Sequence, residues 1–256
     1  MSRFTVRVIL IGSFTVILAL LLSTLRYHWD FRAVWAYREL YYQGLINTIL
    51  VSFGAIVLGL AIGLSAGLAR VSRNVWLSEA ASLYVGTFRG TPLLTQIYIF
   101  YFCVAVVVHY DNPFIIGMIT LAIFSGAYIT EMVRAGIESI DNGQWEAAMS
   151  TGMTHHQTLL HVIFPQAFRR IVPPVTGQFV SLIKDSSLLS VISVRELTKA
   201  SEIVNATTYK TFEAYLPLAL IYLLLTFPFS ALTYRLEKRM NYEKRNASSS
   251  RGTFFS

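Results

Sequence analysis

The sequence is short of charge. Of its 256 residues only 35 are Asp, Glu, Lys or Arg, where a soluble domain of this length carries about 64. The deficit excludes a disordered chain and argues against an ordinary soluble enzyme. Cysteine is nearly absent: Cys103 stands alone, which excludes an intrachain disulfide and a cysteine-based zinc site. No Gly-x4-Gly-Lys-Ser/Thr phosphate loop occurs, so the chain does not hydrolyse a nucleotide by that route. A His-Glu-x-x-His pattern and the period-two alternation of a membrane barrel strand are also missing.

What is present is apolar. Hydrophobic residues make up 54% of the chain and mean hydropathy is +0.54. That is roughly 138 residues, more than the roughly 120 that six membrane crossings need. Residues 40–69, 90–110, 112–130 and 214–234 carry no charge, and each is long enough to cross a hydrocarbon layer as a helix. Residues 8–25 form a further uncharged run after Arg3 and Arg7. No small-x-small site follows, so it reads as an uncleaved anchor. Residues 171–194 form a sixth candidate, interrupted near its middle by Lys184 and Asp185. Such charges are tolerated in a membrane only when they face protein or a watery cavity.

Residues 147–168 also lack Asp, Glu, Lys and Arg, but their histidines, Gln157 and threonines make them unlike a span. They read as short amphipathic helices broken at Gly152, the second stopped by Pro165. The expected architecture is an all-α, polytopic membrane bundle. The lysines and arginines orient it with both termini inside, 14 inside against 6 outside once Lys184 is set aside. Arg70, Arg73 and Arg89 fall in one inner loop. The anomaly is residues 26–44, an outer segment bearing Arg26, Arg32 and Arg38. The net charge of +7 is read as this orientation signal and not as a nucleic-acid footprint.

Gly59, Gly63 and Gly67, with Ala55 before them, form a small-residue stripe for close helix packing. The same stretch matches Gly-x-Ser-x-Gly around Ser65, but no histidine lies near enough in the sequence to serve a nucleophile, and packing is the better reading. His155, His156 and His161 lack a cysteine or carboxylate to complete a metal cluster and suit an interfacial loop. Glu131 and Arg134, three apart, suit a structural ion pair.

The segment Glu146-Ala147-Ala148, then Gly152, then Val162-Ile163-Phe164-Pro165 resembles the EAA loop of permease subunits of bacterial ABC importers, Glu-Ala-Ala-x3-Gly-x9-Ile-x-Leu-Pro, with Val162 for Ile and Phe164 for Leu. Its flanks, residues 88–96, 126–136 and 181–188, resemble the polar amino-acid (histidine/glutamine-type) branch. The resemblance covers residues 44 to 234. It implies a five-helix importer core plus one extra N-terminal helix, divided as residues 1–44 (anchor and external segment), 45–240 (transmembrane domain with a coupling loop at about 136–170) and 241–256 (cytoplasmic tail).

The same resemblance implies a transport subunit of the bacterial inner membrane and not an enzyme. Two ABC ATPases carrying ATP and magnesium, a second permease subunit (identical or sister) and a periplasmic or lipid-anchored binding protein would be its partners. No cofactor is expected in this chain. Glu146, Ala147, Ala148, Gly152 and Pro165 would couple to the ATPases as a helix-in-groove knob. Lys184 and Asp185 offer both charges that a zwitterion needs, with Ser186 and Ser187 as hydroxyl donors and Thr95 and Gln96 on a facing span. The plainer reading is that Lys184 and Asp185 pair with neighbouring helices. The alternatives to amino-acid import are a related zwitterion, such as a compatible solute or an opine, or an ion-coupled secondary transporter using Asp185 or Glu131.

Overall fold

Unpaired backbone amides are not tolerated in hydrocarbon, and every regular element among the described residues is helical. The computed structural model describes residues 27–252, with isolated positions between 5 and 20; the side chains of Ala33 and of residues beyond Lys238 are outside it. The expected N-terminal span, residues 8–25, and Arg26 therefore lie largely outside the described residues. The elements are α1 (Phe31–Trp35), α2 (Arg38–Arg70), α3 (Val75–Gly90), α4 (Leu93–Tyr98), α5 (Pro113–Glu138), α6 (Asn142–Ser150), α7 (His155–Thr158), α8 (Phe164–Asp185), a 3₁₀ segment (Ser186–Ile192), α9 (Leu197–Thr208) and α10 (Thr211–Gly252). π-helical turns extend α4 through Ile99–Val104 and join α7 to α8 through Leu159–Ile163.

Among the described residues, Arg38–Arg70, Pro113–Glu138 and Thr211–Lys238 are long and apolar enough to cross a membrane, in agreement with three of the expected spans. Two expectations need correction. The run at residues 90–110 is the second arm of a bent pair: Val75–Gly90 and Leu93–Val107 meet at 104°. The inner loop expected to hold Arg89 is accordingly short. Asn74 caps α3 by accepting from the Trp76 and Leu77 amides, so helix begins at once, and Arg89 sits in its last turn with its guanidinium 5.1 Å from the Tyr128 ring centre. The bend falls at Thr91 and Pro92, where proline cannot supply an amide to the α3 ladder.

The second correction concerns Pro165. It lies in the first turn of α8 and does not end a helix. Early in a helix its missing N–H would be unpaired anyway, and the wide π turn just before it carries α7 into α8 without a stop. The predicted span at residues 171–194 is thus the end of a longer helical run. Lys184 and Asp185 stand where that run tightens to 3₁₀, at the end of α8.

The core is made by α2 lying against α5. Ala55, Gly59, Gly63 and Gly67 are all buried, on one face of α2. A Cβ at Gly63 would stand 2.5 Å from the Ile129 side chain and 3.0 Å from the Gly126 carbonyl; at Gly67 it would stand 2.5 Å from Val133. The glycines therefore permit a backbone approach that alanine would not. Ser65 faces the other way, exposed, and donates to the Ala61 carbonyl, which leaves the stripe as packing. α8 closes the bundle against α5 and α10. A smaller second cluster joins Val34, Tyr41, Leu197, Val204 and Ala214.

Gly63→Leu is expected to destabilise the bundle by about 1–3 kcal/mol through overpacking, read as a lower unfolding temperature in detergent. Gly86→Ala, where nothing lies within 4 Å, should leave that temperature unchanged or raise it.

Candidate coupling loop and translocation site

The loop expected to dock a partner is a folded knob. Asp141 caps α6 through the Gly143 amide at 2.7 Å. Gly152 turns the chain with φ +88°, a left-handed value that suits glycine. Thr154 and Gln157 form a capping box that starts α7. Three contacts then fix the knob. Trp145 stacks on His155 with ring centres 4.8 Å apart. Gln166 of α8 donates to Gln144 of α6 at 3.2 Å. Arg170 donates to the Ser139 carbonyl and, at 2.9 Å, to its hydroxyl, tying α8 to the end of α5.

Of the coupling candidates, Glu146, Ala147, Gly152 and Pro165 are exposed and Ala148 is turned into the knob. Met149 and Leu160 add exposed apolar surface. A notch of about 240 Å³ opens at the turn, lined by Thr151, Gly152, Met153, Gln157 and His161. The histidines have local roles: His161 Nδ1 lies 3.0 Å from the Gln157 carbonyl, and among the described residues no group of three metal-ligating side chains forms. Partial burial, reinforced by Arg73, holds the His155 pKa below the usual histidine value.

At the other end of α8, Lys184 is exposed and Asp185 half-buried. Among the described residues neither makes a salt bridge or side-chain hydrogen bond to another helix. The serines differ from expectation. Ser186 donates to the Ile183 carbonyl at 2.7 Å and Ser187 to the Lys184 carbonyl at 2.6 Å. Their protons are used by the helix itself; Ser186 is fully buried, and only the half-buried Ser187 can present acceptor lone pairs outward.

α4 packs against the 3₁₀ segment, which brings the elements holding Thr95 and Ser186-Ser187 together, just past Lys184-Asp185. Thr95 and Gln96 do not act alike. Thr95 is exposed, whereas Gln96 is buried and donates to the Phe88 carbonyl at 2.8 Å, the Thr91 carbonyl at 3.1 Å and the Thr91 hydroxyl at 2.8 Å. Gln96 braces the 104° bend. Glu131 and Arg134 form the expected pair, extended to Glu138.

Two buried carboxylates escaped the sequence reading. Glu196 caps α9 by accepting from the Thr198 and Lys199 amides at 2.8 and 2.7 Å, and accepts from the Tyr222 hydroxyl at 3.0 Å. Burial raises its pKa although those three donors favour the ionised form. Glu213 accepts from the Tyr27 hydroxyl at 2.6 Å and the Asp30 amide at 2.8 Å. The one sequence signal was position: each acid directly precedes an apolar helical stretch or lies in its first turn, as helix N-termini favour.

Residues 43–242 match the family described as binding-protein-dependent transport system inner membrane component. The chain is 36% identical over 202 residues to a probable glutamine ABC transporter permease protein, GlnM, of Bacillus subtilis, covering 79% of this chain and 94% of that one. It is 41% identical over 200 residues to the L-cystine transport system permease protein TcyB of the same species, covering 77% and 85%. A crystal structure of an amino acid ABC transporter with histidines superposes with a TM-score of 0.77 at 37% identity, covering 83% of this chain and all of that one.

Gln96→Leu should lower the unfolding temperature, because the carbonyls at the bend lose their donor at a cost of about 1–3 kcal/mol; Thr95→Ala should not. Because the His155 pKa is depressed in the folded knob, its contribution to stability is full above the unfolded value and is lost as pH falls through the folded one. The stacked Trp145 reports it: its fluorescence titration should have a midpoint below that of free histidine and lose this step in His155→Gln.

Proposed function

The chain belongs to the binding-protein-dependent transport system inner membrane components, and on that premise we propose that it is the permease subunit of an ATP-driven importer of polar amino acids. The single observation that carries the mechanism is the unbroken helical run from His155 to Asp185. It joins the exposed knob to Lys184 and Asp185, which form no salt bridge among the described residues, along a contour of about 45 Å at 1.5 Å per residue. A displacement of the knob is delivered to the charged pair because no loop lies between them to absorb it.

Two cytoplasmic ABC ATPases, which bind the ATP and magnesium, dock on the knobs of two permease subunits, this chain and an identical or sister copy. Glu146 offers a charge to a basic or backbone donor on the ATPase, Ala147 allows close approach, and Gly152 sets the turn. Ala148 and Pro165 act inside the knob, one as packing and the other as the start of α8. Closure of the ATPase dimer draws the knobs together, and the bundle passes between outward-open and inward-open states. A periplasmic or lipid-anchored binding protein delivers substrate from outside, and the subunit resides in a bacterial inner membrane. The relatives named for glutamine and cystine support an amino-acid substrate. Within the bundle, Asp185 receives its ammonium group and Lys184 its carboxylate. Ser187 and Thr95 contribute polar lining, Ser186 acts from within the packing behind them, and Gln96 holds the bend that carries Thr95. The core of this machine is residues 45–240, with the anchor and external segment before it and a cytoplasmic tail at 241–256.

The test is substrate-stimulated ATP hydrolysis by the complex reconstituted in proteoliposomes. Glu146→Lys should reduce stimulation about tenfold or more while the complex still takes up lipid-embedded form. Lys184→Ala with Asp185→Asn should abolish stimulation by amino acid while basal hydrolysis persists. Unchanged stimulation in the first variant overturns the docking role; unchanged stimulation in the second overturns the substrate site.

A further inference from the structure

The outer segment with its excess of arginine precedes residue 43, where the family match begins, so the family assigns it nothing. It is nevertheless well fixed. Glu213, fully buried at the start of α10, holds both the Tyr27 hydroxyl and the Asp30 amide. Tyr27 and Trp29 pack on Phe212 with ring centres 5.1 and 5.7 Å away. These contacts seat the segment against the outer end of α10, while α2 begins three residues beyond α1.

What the segment then exposes is ordered. Arg38, Tyr42, Ile46, Ile49, Phe53 and Val57 are exposed and recur every three or four residues, so they share one face of α2. That face is apolar along its length and becomes aromatic and then cationic at its outer end. There the Arg38 guanidinium lies 5.7 Å from the centre of the Trp35 ring and donates to the Trp35 carbonyl at 3.3 Å. Trp35 is 70% exposed. The 33 residues of α2 extend about 50 Å, beyond the hydrocarbon layer of about 30 Å and comparable to the about 40–45 Å that includes the headgroups. Its first turn therefore lies at headgroup depth. At the inner end of the same helix Trp76, 87% exposed, stands just past Arg70 and Arg73, so an indole and arginines mark both ends.

We propose that Trp35 and Arg38, with Arg32 beside them, form a phospholipid site in the outer leaflet. The indole lies along the start of an acyl chain and the guanidinium groups receive the headgroup phosphate. This continues the lipid-facing stripe of α2 and gives the outer arginines an anionic partner. It accounts for a basic outer segment that the orientation rule does not expect.

The test places the full chain, with its co-purified subunits, in nanodiscs of phosphatidylcholine and phosphatidylglycerol. Trp35 is left as this chain's sole indole by Trp29→Phe, Trp76→Phe and Trp145→Phe, and its signal is read as the difference from the same complex carrying Trp35→Phe as well. Lipid brominated near the ester end of its acyl chain should quench Trp35 about twofold more than lipid brominated near the middle, as an interfacial indole requires. If the triple variant does not fold, Trp35→Phe in the otherwise native chain should remove part of the shallow-bromine quenching. Quenching by aqueous iodide but not by bromolipid overturns the proposal, as does a Trp35 that neither quencher reaches because a second protein chain covers it.

Discussion

The backbone contact between α2 and α5 is the constraint on which the bundle depends. In lipid, two helices gain little from excluding hydrocarbon, so they associate through close van der Waals contact. Gly59, Gly63 and Gly67 remove the side chains that would hold the helices apart, and Ser125, Ile129 and Val133 fill the space. With that seam set, α3 folds back onto both helices. Tyr84 donates to the Ile123 carbonyl at 2.6 Å, and α8 closes the opposite side. The seam also fixes the end of α5, from which the knob hangs through Ser139 and Arg170.

Rigidity and looseness are distributed in a way that suits a mechanical subunit. The knob is braced by a ring stack, a glutamine pair and an arginine clamp. The start of α9 and the start of α10 are braced by Glu196 and Glu213, each holding donors from a different element. Between them lie the departures from regular helix: the π turns at Ile99–Val104 and Leu159–Ile163, the prolines 173 and 174 within α8, and the 3₁₀ segment after Asp185. The π and 3₁₀ turns keep their backbone groups paired within the chain, which is what makes such departures tolerable. Lys184 and Asp185 sit at one such departure, where the helix changes pitch.

Much of this was legible from residue order. Long uncharged runs located α2, α5 and α10 because lipid imposes one length and one secondary structure. The four-residue spacing of glycines named the packing face, and Glu131 with Arg134 were paired correctly by helical spacing. The bend at Thr91 and Pro92 was not legible, since an uncharged run does not reveal that α3 already occupies the space before it. Pro165 was misread because proline both ends and begins helices, and the π turn that decides between the two leaves no composition signal. At the candidate site, the charged pair was visible as an anomaly. The turning of the serine hydroxyls into their own helix, and of Gln96 into the bend, depends on rotamers that a sequence does not state. Glu196 and Glu213 were passed over because a glutamate beside a span reads as solvated until its donors are seen.

The central claim is that the energy for transport enters through the knob and not through an ion bound at Asp185 or Glu131. Uptake of a radiolabelled polar amino acid into proteoliposomes holding the complete complex measures this directly. With ATP supplied on the side of the knob and no ion gradient, uptake should proceed and be indifferent to a protonophore. Uptake driven by an imposed ion gradient, in the absence of ATP and of the ATPase subunits, would contradict the account.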